Sequence, residues 1–311
     1  MEPRKIFFIG SFQKRGLQLN KKNIYPQWFL WIPLVLYICF YLIPSLLGVG
    51  YSFTDWNSRT LTNGVNFVGL ENYIHIFTSN KNYVSGIFNT LSFTVISNII
   101  KLIPALLLAI MLQEGIKGKG IYRTLLYLPS ILPFVIIGLV FKSIFNYNTG
   151  LLNTVLEFLH LGVLKQKWLS DLSVVWKSIF GVDAWRGIGY VMTIFLAGLN
   201  TIPKSYYEAA QIDGANFWRR LLHITLPMLS GAITINLVFG LTYGLKVFDI
   251  IYVLTNGGPG HATEVITTYS YQLYSSGQYG MSTALNTILL FITAVVGVMV
   301  VKVMSKKEVQ Q

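Results

Sequence analysis

The side chains that invite chemistry are ionisable groups embedded in apolar runs. Lys101 stands near the middle of one such run. Asp183, Trp185, Arg186 and Tyr190 crowd into another, and Asn236, Tyr243, Lys246 and Asp249 into a third. An ammonium at mid-bilayer costs at least about 2.5–3.5 kcal/mol unless it is paired or hydrated, so such groups are candidates for function by default. Each also has a plainer reading. Lys246 and Asp249 are three residues apart and would meet on one helix face. Trp185 has the character of a lipid-interface anchor, and Arg186 has a stem long enough to snorkel to the surface. Lys101 must face an interior carboxylate, a water-filled path or an anionic solute.

A second constellation lies between two apolar runs, at Ile202–Pro227. Pro203 suits a first helical turn. Ser205 and Glu208 have capping-box spacing. Ala209 and Ala210 favour helix and carry almost no side chain. Gly214 fits the left-handed position that ends a helix, and Asn216 can cap the next one. The spacing therefore predicts a short helix with a small face, a tight turn and a second helix running into Pro227. A small-faced helix with a flanking carboxylate suits docking into a groove of another protein; an amphipathic loop lying on a membrane is equally compatible with these residues.

The elements that must hold these groups are membrane spans. Of 311 residues, 53% are hydrophobic and 12% charged, with mean hydropathy +0.55; soluble chains average about 25% charged. Six candidate spans of the length a bilayer requires fall at about 28–53, 86–112, 123–145, 174–199, 226–254 and 282–304. Pro33, Pro44, Pro104, Pro129 and Pro133 predict kinks within them. The first run is too long for the apolar segment of a cleaved signal peptide. Fifteen Lys and Arg lie on one side of the spans: six in the N-terminal tail, Lys117, Lys119 and Arg123, then Lys204, Arg219 and Arg220, then Lys302, Lys306 and Lys307. Five lie on the other: Arg59, Lys81, Lys142, Lys165 and Lys167. That bias predicts cytoplasmic N and C termini. The organisation expected is a tail 1–27 with amphipathic character over 4–22, a six-helix domain 28–304, and a tail 305–311. The loops 54–83 and 146–173 are long enough for short helices.

Much is disfavoured. The net charge of +12 is scattered in short clusters between spans and does not form a nucleic-acid face. Cys39 is single, which precludes an internal disulfide. His75, His160, His223 and His261 lack metal-ligand spacing, so no metal site is expected. No nucleophile–base pair stands out, so no catalytic residue is assigned. No GxxxxGK[ST] phosphate loop is present.

Glu208-Ala209-Ala210, Gly214 and Ile224-x-Leu226-Pro227 resemble the EAA loop of ABC importer permeases, with every fixed position present. The resemblance extends to Phe67-Val-Gly-Leu-Glu-Asn-Tyr73, Asn89-Thr90, Arg123-x-x-x-Tyr127-x-Pro129, Lys246-Val-Phe-Asp249 and Leu254-Thr-Asn-Gly-Gly-Pro259, which are similar to motifs of the MalF-like, carbohydrate-importing branch. It covers about residues 28–304 and implies the all-α, six-helix type I importer fold in a prokaryotic plasma membrane. The implied function is ATP-driven, binding-protein-dependent import of a sugar or oligosaccharide by alternating access. The implied partners are a second homologous permease, two ATP-binding subunits carrying the ATP and Mg²⁺, and an extracytoplasmic solute-binding protein. The loop at 200–227 would be the coupling helix, with Glu208, Ala209, Ala210, Asp213, Gly214, Leu226 and Pro227 at the joint. Sugar-contacting positions of that branch, aligned through the motifs, correspond to Asp183, Gly187, Gly240, Tyr243, Gly244 and Val247. Trp185 and Tyr243 could stack on sugar faces, while carboxylates and amides exchange hydrogen bonds with hydroxyls. Lys101 departs from the family, which usually has an uncharged residue there; an acidic oligosaccharide and a structural ion pair are the two readings it leaves. Alternatives are another small polar solute such as glycerol phosphate, an ion-coupled secondary transporter, which leaves the EAA pattern unexplained, and a membrane enzyme, for which no paired acid and base are present.

Overall fold

The computed structural model describes residues 28–60, 64–78 and 81–308; the expected amphipathic segment at 4–22 lies outside them. Two compact units divide between Leu47 and Gly48. In the first, helix α1 (Trp28–Tyr37) passes through a π-helical turn, Ile38–Leu42, into α2 (Ile43–Tyr51), which continues across the boundary.

The second unit is helical. Among its described residues the one β feature is an isolated bridge between Thr54 and Phe67. The loop 54–83 contains α3 (Glu71–Thr78), and the long α4 (Lys81–Gln113) follows. Next come α5 (Lys119–Ile131), α6 (Phe134–Ile144) and α7 (Leu151–Phe158), the last inside the loop 146–173. Helix α8 is Val175–Leu199 and α9 is Lys204–Ile212. Helix α10 (Phe217–Arg220) runs through a π turn into α11 (Leu226–Met228). Then follow α12 (Ser230–Leu245), α13 (Asp249–Leu254), α14 (Ile266–Ser275) and α15 (Tyr279–Glu308).

Four stretches are single helices long and apolar enough to cross a membrane: Phe29–Tyr51, Lys81–Gln113, Val175–Leu199 and Tyr279–Lys302. Two bent pairs bring the number to six if each counts as one span. The continuous third span expected at 123–145 is instead α5 and α6, bent by 95°. Pro133 explains the break. It cannot donate an N–H, and it drives the preceding residue out of the helical region; Leu132 is extended at φ −70°, ψ 137°. Pro104 and Pro129, also expected to kink, lie within unbroken helices. The fifth span, expected as one run over 226–254, is interrupted twice. It bends by 68° at Leu229, and the helix stops at Leu245, leaving Lys246–Phe248 non-helical before α13. The 16 residues of α12 rise about 24 Å at 1.5 Å each, short of a hydrocarbon core of about 30 Å. A broken backbone at that depth must find partners in the protein or line a cavity. The Val247 carbonyl does so by accepting from the Thr267 hydroxyl.

Three apolar clusters fix the helices. One joins α4, α8 and α12 to the loop between α8 and α12 through Ala109, Phe195, Leu199, Ile202, Leu221 and Leu229. A second gathers Phe93, Ile137, Ile179, Val182, Ile250 and Val265. A third packs α3, α14 and α15 around Ile76, Ile266, Tyr269 and Leu285. The motif residues supply polar clamps between them. The Tyr73 hydroxyl lies 2.6 Å from Ser52 Oγ, and Asn72 Nδ2 donates to the Ser52 and Thr54 carbonyls at 2.8 and 2.9 Å. Asn89 Nδ2 donates to the Ala262 and Glu264 carbonyls at 3.1 and 2.8 Å, and Thr90 Oγ1 accepts from Ile266 N at 3.0 Å.

Candidate functional site

The site begins with spacing on α4. Ser97 and Lys101 are four residues apart, so they share a helix face, and that face meets Asp183 of α8. Lys101 Nζ stands 3.0 Å from Asp183 Oδ2. Ser97 Oγ donates to the same oxygen at 2.6 Å, and the Tyr243 hydroxyl of α12 donates to Oδ1 at 2.8 Å. Lys101 and Asp183 are 6% and 2% exposed, so desolvation would be severe without these partners. Lys101 Nζ also sits 4.4 Å from the Tyr243 ring centroid, a cation–π distance. Of the two readings of Lys101, the structural pair is the one present.

Close helix approach makes this geometry possible. A Cβ on Gly187 would fall 2.5 Å from Lys101 Cδ, so glycine clears the path of the lysine stem. Gly240 and Gly244 lie against Asn98 and Thr94 in the same way, bringing α12 onto α4.

Beside the pair opens a cavity of about 370 Å³. Lys101, Asp183, Arg186, Gly187 and Tyr190 form part of its wall, and Asn236, Gly240 and Tyr243 another part. Asn98, Ser130, Val191 and Phe239, which were not singled out from the sequence, complete it with Tyr127, which was marked there as a motif residue and not as a site residue. The i, i+4 relation of Ser97 to Lys101 was the available signal for the α4 face. The polar residues of α5 lie in a helix whose polar face the sequence did not orient. Asn236 donates weakly to the Val191 carbonyl at 3.4 Å, while its Oδ1 is buried without a partner.

Arg186 does not snorkel away. Its guanidinium lies over Phe134, 3.5 Å from the ring centroid. Its Nε donates to the Leu132 carbonyl at 3.4 Å, at the break between α5 and α6. That break, caused by Pro133, thus places Arg186 on the cavity wall. A second cavity of about 360 Å³ shares Phe134, Phe239 and Tyr243 with the first and contains Lys246, Val247, Phe248 and Asp249. Phe134 and Tyr243 stack at 5.6 Å between centroids.

Several expected site residues take other roles. The Lys246–Asp249 pair is absent from the ion pairs of the described residues, because the helix that would align the two ends at Leu245. Both are exposed at the second cavity. Trp185 is outside the wall of the first cavity and packs edge-on against Phe141 at 5.3 Å. Gly244 and Val247 are buried in helix packing.

The 200–227 loop forms the expected two helices with one change at its start. Pro203 is the N-cap of α9 and no side chain caps it, so the Ser205–Glu208 capping box does not form. The helix begins two residues too early for Ser205 to be its cap. Its end is as expected. Gly214 has φ 72°. Gly214 N donates to the Gln211 carbonyl at 3.1 Å and Ala215 N to that of Ala210 at 2.9 Å, the paired bonds of a Schellman motif. Asn216 Oδ1 accepts from Arg219 N at 2.9 Å, capping α10. The small face is divided: Glu208 and Ala209 are exposed, and Ala210 is buried. Tyr207 turns inward, its hydroxyl 3.1 Å from Thr225 Oγ1, and ties the two ends of the loop together. Asp213 and Pro227 are exposed and Leu226 half-buried. Glu208 enters no ion pair among the described residues.

Comparison with known proteins places this geometry in a family. The chain is 35% identical to the trehalose/maltose transport system permease protein MalF of Thermococcus litoralis, over 84% of this chain and 87% of that one. It is 34% identical to the multiple sugar-binding transport system permease protein MsmF of Streptococcus mutans, over 92% and 98%. A probable ABC transporter permease of Bacillus subtilis, YurN, is 32% identical over 91% and 97%. Among solved structures, a bacterial ABC transporter involved in import of the acidic polysaccharide alginate superposes with a TM-score of 0.77 at 23% identity, over 90% of this chain and 96% of that one, and so shares the fold. The pattern of binding-protein-dependent transport system inner membrane components matches residues 82–307, and the chain belongs to that family of ABC importer permeases.

Proposed function

We propose that this chain is one of two homologous permease subunits of an importer that moves a sugar or oligosaccharide across the plasma membrane. The observation that carries the reading is the pairing of a polar cavity at Asp183, Arg186, Asn236 and Tyr243 with an exposed Glu208–Ala209 edge on a helix closed by a Schellman turn. The names of two similar permeases, for trehalose/maltose and for multiple sugars, support a carbohydrate as the solute. Both termini and the 200–227 loop lie in the cytoplasm, as the basic-residue bias favours. Two ATP-binding subunits carry the ATP and Mg²⁺, and an extracytoplasmic binding protein delivers the sugar. Glu208, Ala209, Asp213 and the αL turn at Gly214 form the joint through which nucleotide-driven closure rocks the permease pair. Lys101, paired with Asp183, sets the cavity wall and takes no direct part in charge recognition.

The test is reconstitution of the chain in liposomes with its second permease, ATPase and binding protein, followed by uptake of labelled oligosaccharides. The expected result is uptake that requires ATP and collapses with Glu208→Arg. Uptake that persists without the ATPase, driven by an ion gradient, overturns the reading.

A further inference from the structure

Within the first cavity the charges do not cancel. Lys101 is neutralised by Asp183 at 3.0 Å. Arg186 makes no contact ion pair among the described residues; Asp183 and Asp249 act on it only at longer range, and its contacts are the bond to the Leu132 carbonyl and the stack on Phe134. It is the twelfth residue of the 25 in α8, so it lies near the middle of a span. A cation at that depth needs an anion or water.

We infer that Arg186 is a specificity-determining residue that receives a carboxylate of the transported sugar, so that the preferred solute is a uronic-acid-containing oligosaccharide. The inference rests on the carbohydrate reading above and narrows it. Two observations shape it. The guanidinium is fixed on one face by Phe134 and at Nε by the Leu132 carbonyl, which leaves its terminal nitrogens to form the bidentate fork that suits a carboxylate. The surrounding wall offers the Tyr127, Ser130 and Tyr190 side chains and the unpartnered Oδ1 of Asn236, a set of neutral donors and acceptors matched to ring hydroxyls. One fixed cation among neutral hydroxyl partners fits a ring bearing a single carboxylate. A phosphate-bearing solute would leave one of its charges unmatched.

The probe pairs are trisaccharides of mannuronate, guluronate, galacturonate and glucuronate, each beside its carboxyl-reduced counterpart, which keeps every hydroxyl and loses only the acid. Binding is measured by equilibrium dialysis on the complete transporter in detergent, without the binding protein, whose own selectivity would mask that of the permease. At least one uronate should bind about tenfold or more tighter than its reduced counterpart, a difference of about 1.4 kcal/mol. Arg186→Gln should cost the uronate at least tenfold more affinity than it costs the reduced sugar, and so erase the difference between them. Arg186→Lys should restore part of it, since charge returns without the fork. Equal affinity for acid and reduced sugars in the wild type overturns the inference and leaves the carbohydrate reading standing. So does an equal loss of both with Arg186→Gln, which would assign Arg186 to packing, or a cross-link of position 186 to a carboxylate of the second permease. No binding of any of these sugars, together with no uptake of any oligosaccharide, overturns both readings.

Discussion

Lys101 and Asp183, 82 positions apart on α4 and α8, form a buried ion pair of 3.0 Å whose carboxylate also accepts from Ser97 and Tyr243. Three helices thereby converge on one side chain. Removing a single partner of a buried pair typically costs about 3–5 kcal/mol, because the remaining charge is left uncompensated. Lys101→Met and Asp183→Asn should each destabilise the chain by that order, and the double variant by clearly less than their sum. Unfolding in detergent, followed by circular dichroism, measures the cycle; strict additivity would show that the two groups do not interact.

Tyr243 has two separable roles, a hydroxyl on Asp183 Oδ1 and a ring stacked on Phe134. Tyr243→Phe keeps the ring and loses one hydrogen bond to a charged acceptor, worth about 1.5–3 kcal/mol. Tyr243→Leu loses both, so its unfolding midpoint should fall further. Equal midpoints for the two variants would contradict the division.

Gly187 clears space for the lysine stem, whose far end is tied to Asp183. Gly187→Ala should lower stability by about 1–3 kcal/mol, the usual cost of overfilling a packed site. It should also reduce uptake in the reconstituted transporter. Unchanged uptake and stability would mean that the stem moves aside freely.

The 200–227 loop offers a contrast between adjacent alanines. Ala210 is buried, so Ala210→Trp should destabilise the chain itself. Ala209 is exposed, so Ala209→Trp should leave stability within about 0.5 kcal/mol while abolishing binding-protein-stimulated ATP hydrolysis by the complex. Gly214→Ala forces a side chain into φ 72° with no neighbour within 4 Å and should cost about 1 kcal/mol, with Asn tolerated better than Ala.

Asn89 holds the 254–265 loop through two carbonyls. Asn89→Ala forfeits two bonds of about 1 kcal/mol each. Amide hydrogen exchange over residues 255–265 should accelerate, with little change in α8. Exchange that rises evenly along the chain would point instead to global destabilisation.

The 200–227 loop was legible in the sequence because its signals are local. Gly214 and Asn216 act on backbone within a few residues, and the structure realises both. Its one misreading, the Ser205–Glu208 capping box, turned on a two-residue shift in where α9 begins. The cavity was half legible. Asp183, Arg186, Asn236 and Tyr243 were exposed as candidates by the cost of polar groups in apolar runs, and they do converge. Lys246–Asp249 failed because i, i+3 pairing presumes a helix that the fold interrupts at Lys246.

The amino-acid sequence by itself determined the membrane-spanning class, the approximate spans and the helix end and cap of the 200–227 loop, since hydropathy and capping are read over a turn or a bilayer's length of chain. Tertiary structure alone decided which polar groups meet. Lys101 pairs with Asp183 while Arg186 is left facing the cavity, and that outcome depends on how closely Gly187 lets α8 approach α4 and on where Pro133 breaks the third span. Those are distances between segments remote in sequence, set by packing that no local pattern encodes.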